Sequence, residues 1–252
     1  MSTSTTNAGL GERPSLDERS AYIPRARQER WIVGNLAREI PAAIDRFAPR
    51  AGRALDVGCG RQPFRSQLES RGLAYVGLDT QQNADGTVAH VCAIDAPLPA
   101  PLAAEPPFAF LLCTEVLEHV ADWHAAWRNI AALLAPGGRA LITCPHVYPL
   151  HEEPYDFWRP TSFALRTFAV RHGLAVVDER RVGDGWDVLG TVLAGMKPKP
   201  AGLGPLSLLA AGWSRVLRAG LLTVAKRRWL ASAAPIATKL YLSNLIVVEK
   251  PA

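Results

Sequence analysis

The chain has only four cysteines in 252 residues, and Cys59, Cys92, Cys113 and Cys144 are spaced too widely to form a CxxC pair or a ligand cluster. This excludes a disulfide framework and a cysteine-held metal, and buried, reduced thiols are expected. Residues 1–20 contain no apolar run and are rich in Ser, Thr, Gly and charge. They read as a disordered tail, not a secretory leader, and the cytoplasm is the expected location. Acidic residues are missing altogether from Val188 to Val248, where eight lysines and arginines fall. The net charge of +5 therefore reports one local basic segment. The rest carries 20 basic against 23 acidic residues, so composition gives the main domain no reason to bind nucleic acid.

With 48% apolar residues, the length suits one large α/β domain with an appendage. Its most informative stretch is Arg53–Gly60, RALDVGCG. Ala54, Leu55 and Val57 suit a buried strand, Gly58, Cys59 and Gly60 break it into a tight turn, and Pro63, Phe64, Leu68 and Gly72 mark a following helix. A dinucleotide-binding turn needs a third glycine for close helix packing, and here that position is Pro63. Asp56 would also repel a pyrophosphate. The same carboxylate suits a ligand carrying an ammonium group, such as the methionyl end of S-adenosylmethionine, which glycines would let the backbone approach. Glycine-rich strand exits also occur without a ligand, so the downstream sequence has to decide.

A helix, kinked or split at Pro41, is predicted between Tyr22 and Arg50 from Ile32, Leu36, Ile40, Ile44 and Phe47. Ala74–Asp79 reads as a second strand ending in an acid, placed where nucleotide-binding units bond ribose hydroxyls. Strands follow at Thr87–Ala93, Phe108–Cys113 and Ala140–Cys144, with a helix over Trp123–Leu134 stopped by Pro136, Gly137 and Gly138. Next come a helix over Thr161–His172, a sixth strand over Leu174–Val182 and a last strand over Ser243–Lys250. This alternation specifies an α/β, doubly wound, mostly parallel sheet, whose ligands bind at the carboxyl ends of its strands. Asp56, Asp79, Asp95 and Thr114 all fall near those ends.

The ordered motifs LDVGCG, GLD, the Asp95 loop, CTEVLEHV and LLAPGGRALITCPH resemble those of class I S-adenosylmethionine-dependent methyltransferases, particularly the group called type 11. The resemblance covers roughly residues 50–182 and implies a Rossmann-like seven-stranded sheet with an antiparallel last strand. It assigns Asp56, Gly58 and Gly60 to the methionyl part of S-adenosylmethionine, Asp79 to the ribose and Asp95 to the adenine. Thr114 and Glu115 would wall the sulfonium, with Cys59, Thr80 and Ile94 completing the donor site. Residues 51–187 and 240–252 would form the methyltransferase domain, 21–50 a helical cap and 188–239 a basic, hydrophobic helical insertion.

Methyl transfer to a hydroxyl requires alignment of the acceptor and removal of its proton. Pro145–Thr161 gathers polar and aromatic residues without helical or strand period, and its PLHEEPYD core resembles type 11 relatives associated with cell-surface glycans. His151 is the expected general base and His119 the second candidate. The alternatives are that His151 ties down the loop and that Glu118 and His119 cap the next helix. His146, Glu152, Tyr155, Trp158 and Arg159 are expected to bind the acceptor. No metal is assigned, because the adjacent His151, Glu152, Glu153 and Asp156 cannot easily converge on one ion.

The expected activity is O-methylation of a sugar, glycan or other small-molecule hydroxyl. The alternatives are a quinone, lipid or secondary-metabolite acceptor, or a non-catalytic cofactor-binding scaffold. Nucleic acid is not expected as an acceptor, since Thr114-Glu115-Val116-Leu117 replaces the Asn/Asp-Pro-Pro-aromatic run of amino-group methylases. The insertion repeats Leu206, Leu209, Trp213, Leu217, Leu221 and Val224 at helical spacing among basic residues. It is expected to rest on an anionic membrane at its inner face, to close the site as a lid, or to form a homodimer contact.

Overall fold

The computed structural model describes residues 15, 22–196, 204–227, 232–233, 236 and 239–252. Apart from Ser15, the expected tail lies outside the described residues, as do Lys197, Lys199 and Arg228 of the basic segment. The elements are α1 (Glu29–Phe47), β1 (Gly52–Val57), α2 (Arg65–Ser70), β2 (Leu73–Asp79), β3 (His90–Val91), α3 (Ala100–Ala103), β4 (Phe108–Thr114), α4 (Trp123–Leu133), β5 (Leu134–Pro145), α5 (Ser162–Arg171), β6 (Ala175–Val182), α6 (Gly185–Gly195), α7 (Pro205–Lys226) and β7 (Ser243–Glu249). A 3-10 turn, Leu117–His119, follows β4.

The sheet order is β3-β2-β1-β4-β5-β7-β6, parallel except that β7 runs antiparallel to both β5 and β6. The doubly wound seven-stranded α/β sheet expected from the motifs is therefore present. One apolar layer joins α4 and α5 to the sheet through Trp127, Ile130 and Leu165, and the other joins α1, α2 and α6 to its opposite face through Ile40, Ile44, Leu68 and Trp186. The order reverses between β1 and β4, and a crevice opens there at the strands' carboxyl ends.

Local expectations failed where a competing interaction was stronger. Helix α1 is continuous through Pro41, because Ile32, Leu36, Ile40, Ala43, Ile44 and Phe47 bury one face on the sheet. Strand β3 has two residues instead of the seven of Thr87–Ala93. The Asn83 and Gln82 side chains accept from the backbone N–H groups of Thr87 and Val88 at 2.9 and 2.8 Å, leaving less of the strand for the ladder. Pro136-Gly137-Gly138 does not separate helix from strand, since β5 begins at Leu134. Gly137 and Gly138 there pair with Lys250, through Gly137 N–H to Lys250 C=O at 2.7 Å and Lys250 N–H to Gly138 C=O at 2.9 Å.

The insertion boundary at Val188 is also corrected. Asp184 and Asp187 form a capping box that starts α6 at Gly185, and Trp186, Val188 and Leu193 are buried against the body. A Cβ built on Gly190 would lie 2.5 Å from the Trp31 ring of α1, whereas one on Gly212 in α7 would meet nothing within 4 Å. Gly190→Ala is therefore expected to destabilise the protein by about 1–3 kcal/mol. Gly212→Ala should be neutral or stabilising by up to about 1 kcal/mol. Denaturant melts of the two variants check the contrast.

Candidate active site

A cavity of about 340 Å³ opens at the switch point between β1 and β4, a volume suited to a cofactor-sized ligand. Its base is the turn after β1, where the N–H groups of Gly58 and Cys59 both donate to the Leu78 carbonyl, at 2.8 and 3.0 Å. Gly58 has φ +69°, and a Cβ there would lie 2.3 Å from Val116 Cγ2, so a side chain from the β4 exit fills the space glycine leaves. Gly77 on β2 is required for a similar reason, as its Cβ would meet Cys59 Sγ at 2.9 Å.

Two carboxylates flank the turn. Asp79 Oδ2 accepts from Gly60 N–H at 2.9 Å and Oδ1 from Thr80 N–H at 2.7 Å, so this acid fixes the glycine turn and also borders the cavity. Asp56 Oδ2 accepts from the Tyr75 hydroxyl at 2.7 Å. Burial, opposed by that bond and assisted by Asp79, pushes the Asp56 carboxyl up to about 7. An arriving cation would compensate this desolvation. Asp56, Gly58, Cys59, Gly60, Asp79, Thr80, Ile94, Asp95, Thr114 and Glu115 all line the one cavity.

Sequence reasoning missed several wall residues. Tyr22 packs on Phe64 at 4.9 Å between ring centroids and borders the cavity, as do Val116 and Tyr148. A lone tyrosine before a helix carries no local signal of this role. Glu115 stands at φ +54°, its N–H donating to Thr143 and its Oε1 accepting from Ser243 at 2.9 Å. Burial, opposed by its Ser243 and Thr143 bonds and by Arg159, pushes its carboxyl up to about 7.

His119, His151 and Glu152 also border the cavity. The loop after β5 docks on the 3-10 turn: Phe157 N–H donates to the Glu118 carbonyl at 2.7 Å, Trp158 Nε1 to the Val120 carbonyl at 2.8 Å, and His119 Nδ1 to the Tyr155 carbonyl at 2.8 Å. The His119 and His151 rings meet edge to face, 4.8 Å apart. His151 Nδ1 lies 3.2 Å from Asp156 Oδ2, which also accepts the His151 N–H at 2.9 Å. Burial opposes Asp156 ionisation, but Arg159 and the His151 N–H hold its carboxyl below the usual range. Burial and His119 lower the pKa of His151.

Several expected roles change. His146 donates to the Pro160 carbonyl at 2.9 Å and stacks on Tyr241, Tyr155 is buried, Trp158 packs on Trp123, and Arg159 bonds both oxygens of Asp156. These four residues brace the loop away from the cavity wall, and of the five expected acceptor-binding residues only Glu152 borders the cavity. Helix α4 is capped by Asp122, whose Oδ1 accepts from Ala125 N–H at 3.0 Å, so Glu118 and His119 do not serve as its caps. The expected absence of a metal rested on His151, Glu152, Glu153 and Asp156. The structure instead brings ligand atoms of Glu118, His119 and His151 within 4.8 Å of one another.

A family model described as a methyltransferase domain matches residues 32–177, more than half of the chain. The chain belongs to that family. It is 36% identical over 106 residues to the ubiquinone biosynthesis O-methyltransferase of Chromobacterium violaceum, a match covering 38% of this chain and 45% of that one. The chain thus spans under half the length of this relative. An S-adenosylmethionine-dependent methyltransferase from Archaeoglobus fulgidus shares the fold at TM-score 0.52 and 14% identity, over 84% of this chain and 93% of that one. Phosphoethanolamine N-methyltransferase 2 of Haemonchus contortus, solved with S-adenosylhomocysteine, shares it at TM-score 0.50 and 20% identity, over 87% and 52%. The chain thus carries a methyltransferase domain and has the fold of S-adenosylmethionine-dependent methyltransferases. Its buried Asp56 and open cavity fit that donor, which supplies an activated methyl group when bound.

The Asp56 carboxyl sets the expected pH dependence of donor affinity. Since the donor's ammonium needs an ionised partner, binding below pH 7 must release the Asp56 proton, and affinity should fall about tenfold per pH unit down to pH 5. It should be highest between 7 and about 8, where the donor's own α-amino group begins to lose its proton. Asp56→Asn should bind roughly ten- to hundredfold more weakly and lose the acid-side slope. Calorimetry across pH 5–8 checks both.

Proposed function

We propose that this methyltransferase transfers the methyl group to a ring hydroxyl of a small molecule, and that a phenolic or quinol hydroxyl is the acceptor class. The observation that carries this reading is the cluster of His119 and His151 over buried Glu118 at the cavity wall. Such a cluster can hold an acceptor oxygen and promote the loss of its proton. A phenolic hydroxyl ionises near pH 10, several units below a sugar hydroxyl, and so needs the least assistance. Tyr22, Phe64, Val116 and Tyr148 offer apolar and aromatic wall to a flat ring. The likeness to ubiquinone biosynthesis O-methyltransferases supports the same class. A glycan hydroxyl is the second reading, favoured by the PLHEEPYD loop that carries His151.

The chain's residues divide the work by position. Asp56 and Asp79 hold the donor, Glu115 and Thr114 border its reactive end, and Asp156 with Arg159 orients His151. Incubation with labelled donor should methylate catechol-like or hydroquinone acceptors in preference to sugars. His151→Ala should lower turnover about a hundredfold or more with donor affinity nearly unchanged. Unchanged turnover would remove His151 from the chemistry, and preferential methylation of a sugar acceptor would favour the second reading.

A lipid-soluble acceptor would also account for α7. This 22-residue helix is long and apolar enough by composition to cross a membrane, but it carries Arg215 and Arg218 near its middle. Only Ala211 and Ala225 are buried, while Leu206, Leu209, Trp213, Val216 and Leu217 are exposed. Arg218 donates to the Leu193 and Ala194 carbonyls at the end of α6 at 2.6 and 3.2 Å, tying the helix to the body. Apolar exposure with basic charge, in a stretch whose sequence carries no Asp or Glu from Val188 to Val248, is complementary to an anionic bilayer, and α7 is proposed to lie on one. Anionic vesicles should sediment the protein in low salt and less of it in high salt. Leu209→Asp combined with Trp213→Asp should abolish sedimentation. Absence of sedimentation, together with a dimer mass lost in that double variant, would make the face a subunit contact instead.

A further inference from the structure

We propose that Glu118, His119 and His151 form a binding site for a divalent first-row transition cation, positioned to receive the acceptor oxygen. Glu118 is 0% exposed, and its Oε1 has no hydrogen-bond partner among the described residues. Such a buried polar atom costs folding free energy unless something else compensates it. Its nearest basic neighbours are the two imidazoles, His119 Nε2 at 3.7 Å and His151 Nε2 at 3.9 Å. Four-coordinate zinc, with bonds of about 2.0–2.2 Å, spaces its ligand atoms roughly 3.3–3.6 Å apart. The two carboxylate–imidazole separations need to close by only a few tenths of an ångström, and all three ligand atoms lie within 4.8 Å of one another.

The surroundings of the imidazoles support the same reading. His119 Nδ1 faces the Tyr155 carbonyl, which can only accept, so this nitrogen carries the proton and Nε2 the lone pair. His151 Nδ1 faces the Asp156 carboxylate at 3.2 Å. Arg159 Nη2 also lies 3.3 Å from that nitrogen, but it is bonded to Asp156 Oδ2 at 2.5 Å, and the ionised carboxylate is the stronger partner for an N–H. Both rings thus turn Nε2 toward Glu118 Oε1, with a carbonyl and a carboxylate behind them, as metal-ligating histidines are usually supported. Two imidazoles and one carboxylate favour zinc, iron, cobalt, nickel or manganese over magnesium or calcium, which prefer all-oxygen sites.

Three protein ligands leave coordination positions available, and His119 and His151 border the cavity. A hydroxyl of the acceptor placed on the cation would ionise more readily. Its O–H bond breaks, the proton passes to water, and the electron pair stays on the oxygen that is to be methylated. This role rests on the reading of this part of the cavity as the acceptor site, whereas cation binding does not.

The test therefore reads binding directly, on the full chain stripped with a chelator. Calorimetry with zinc and manganese should give one site per chain, and cobalt should develop visible ligand-field absorption. Glu118→Gln, close in size to a protonated glutamate, and His151→Ala should each weaken binding at least tenfold, with S-adenosylmethionine affinity and thermal melts reporting an intact fold. No stoichiometric binding of any of these ions by the parent protein, or binding that both variants retain, overturns the proposal. Cation binding without turnover on phenolic acceptors would leave this site standing and remove the acceptor assignment.

Discussion

The placement of His151 beside His119 depends on the docking of the loop after β5 against the 3-10 turn after β4. Three hydrogen bonds fasten the two segments, from Phe157 to Glu118, from Trp158 to Val120 and from His119 to Tyr155. Two of the acceptors are the carbonyls of Glu118 in the turn and of Val120 just after it, so these backbone groups are satisfied by the loop and not by continuing helix. The Asp156–Arg159 pair stiffens the loop from within, and its Arg159 also reaches the Tyr148 and Pro149 carbonyls at 3.1 Å. Without this fastening, His119 and His151 would have no common neighbour.

The same packing concentrates acids in a dry place. Asp56, Glu115 and Glu118 all have raised carboxyl pKa values, with burial the largest cause in each. For Asp56 the linkage has a definite sign: its folded value of about 7 exceeds the ordinary aspartate value of 3.8, so holding it in place costs stability as pH rises from 3.8 to about 7. Acids left in that condition are a cost to the fold that cationic ligands can offset. Asp56 borders the cavity, and Glu118 lies beneath two imidazoles. Stability is thus traded for complementarity to positive charge.

Much of the frame was legible because its signals are local. The apolar run before Gly58, the acid ending β2 and the helical periods of α4 and α5 each act within a few residues, and periodicity or turn chemistry exposes them. Errors arose where side chains far from the segment intervened. Gln82 and Asn83 took the backbone groups expected of β3, and Trp31 drew α6 into the body, so the insertion starts earlier than its composition suggests. His146, Tyr155, Trp158 and Arg159 have the residue types of a binding loop, and only the path of the chain shows that they brace it.

By itself the sequence determined the doubly wound sheet and the carboxyl-end location of the site from short-range pattern, and the resemblance of its ordered motifs to class I methyltransferases pointed to the donor class. The tertiary structure decided which side chains share the cavity. Whether Glu118 caps a helix or lies buried beneath His119 and His151 depends on how two loops from different strands pack. That is a non-local outcome of burial and hydrogen-bond satisfaction, which no spacing along the chain records.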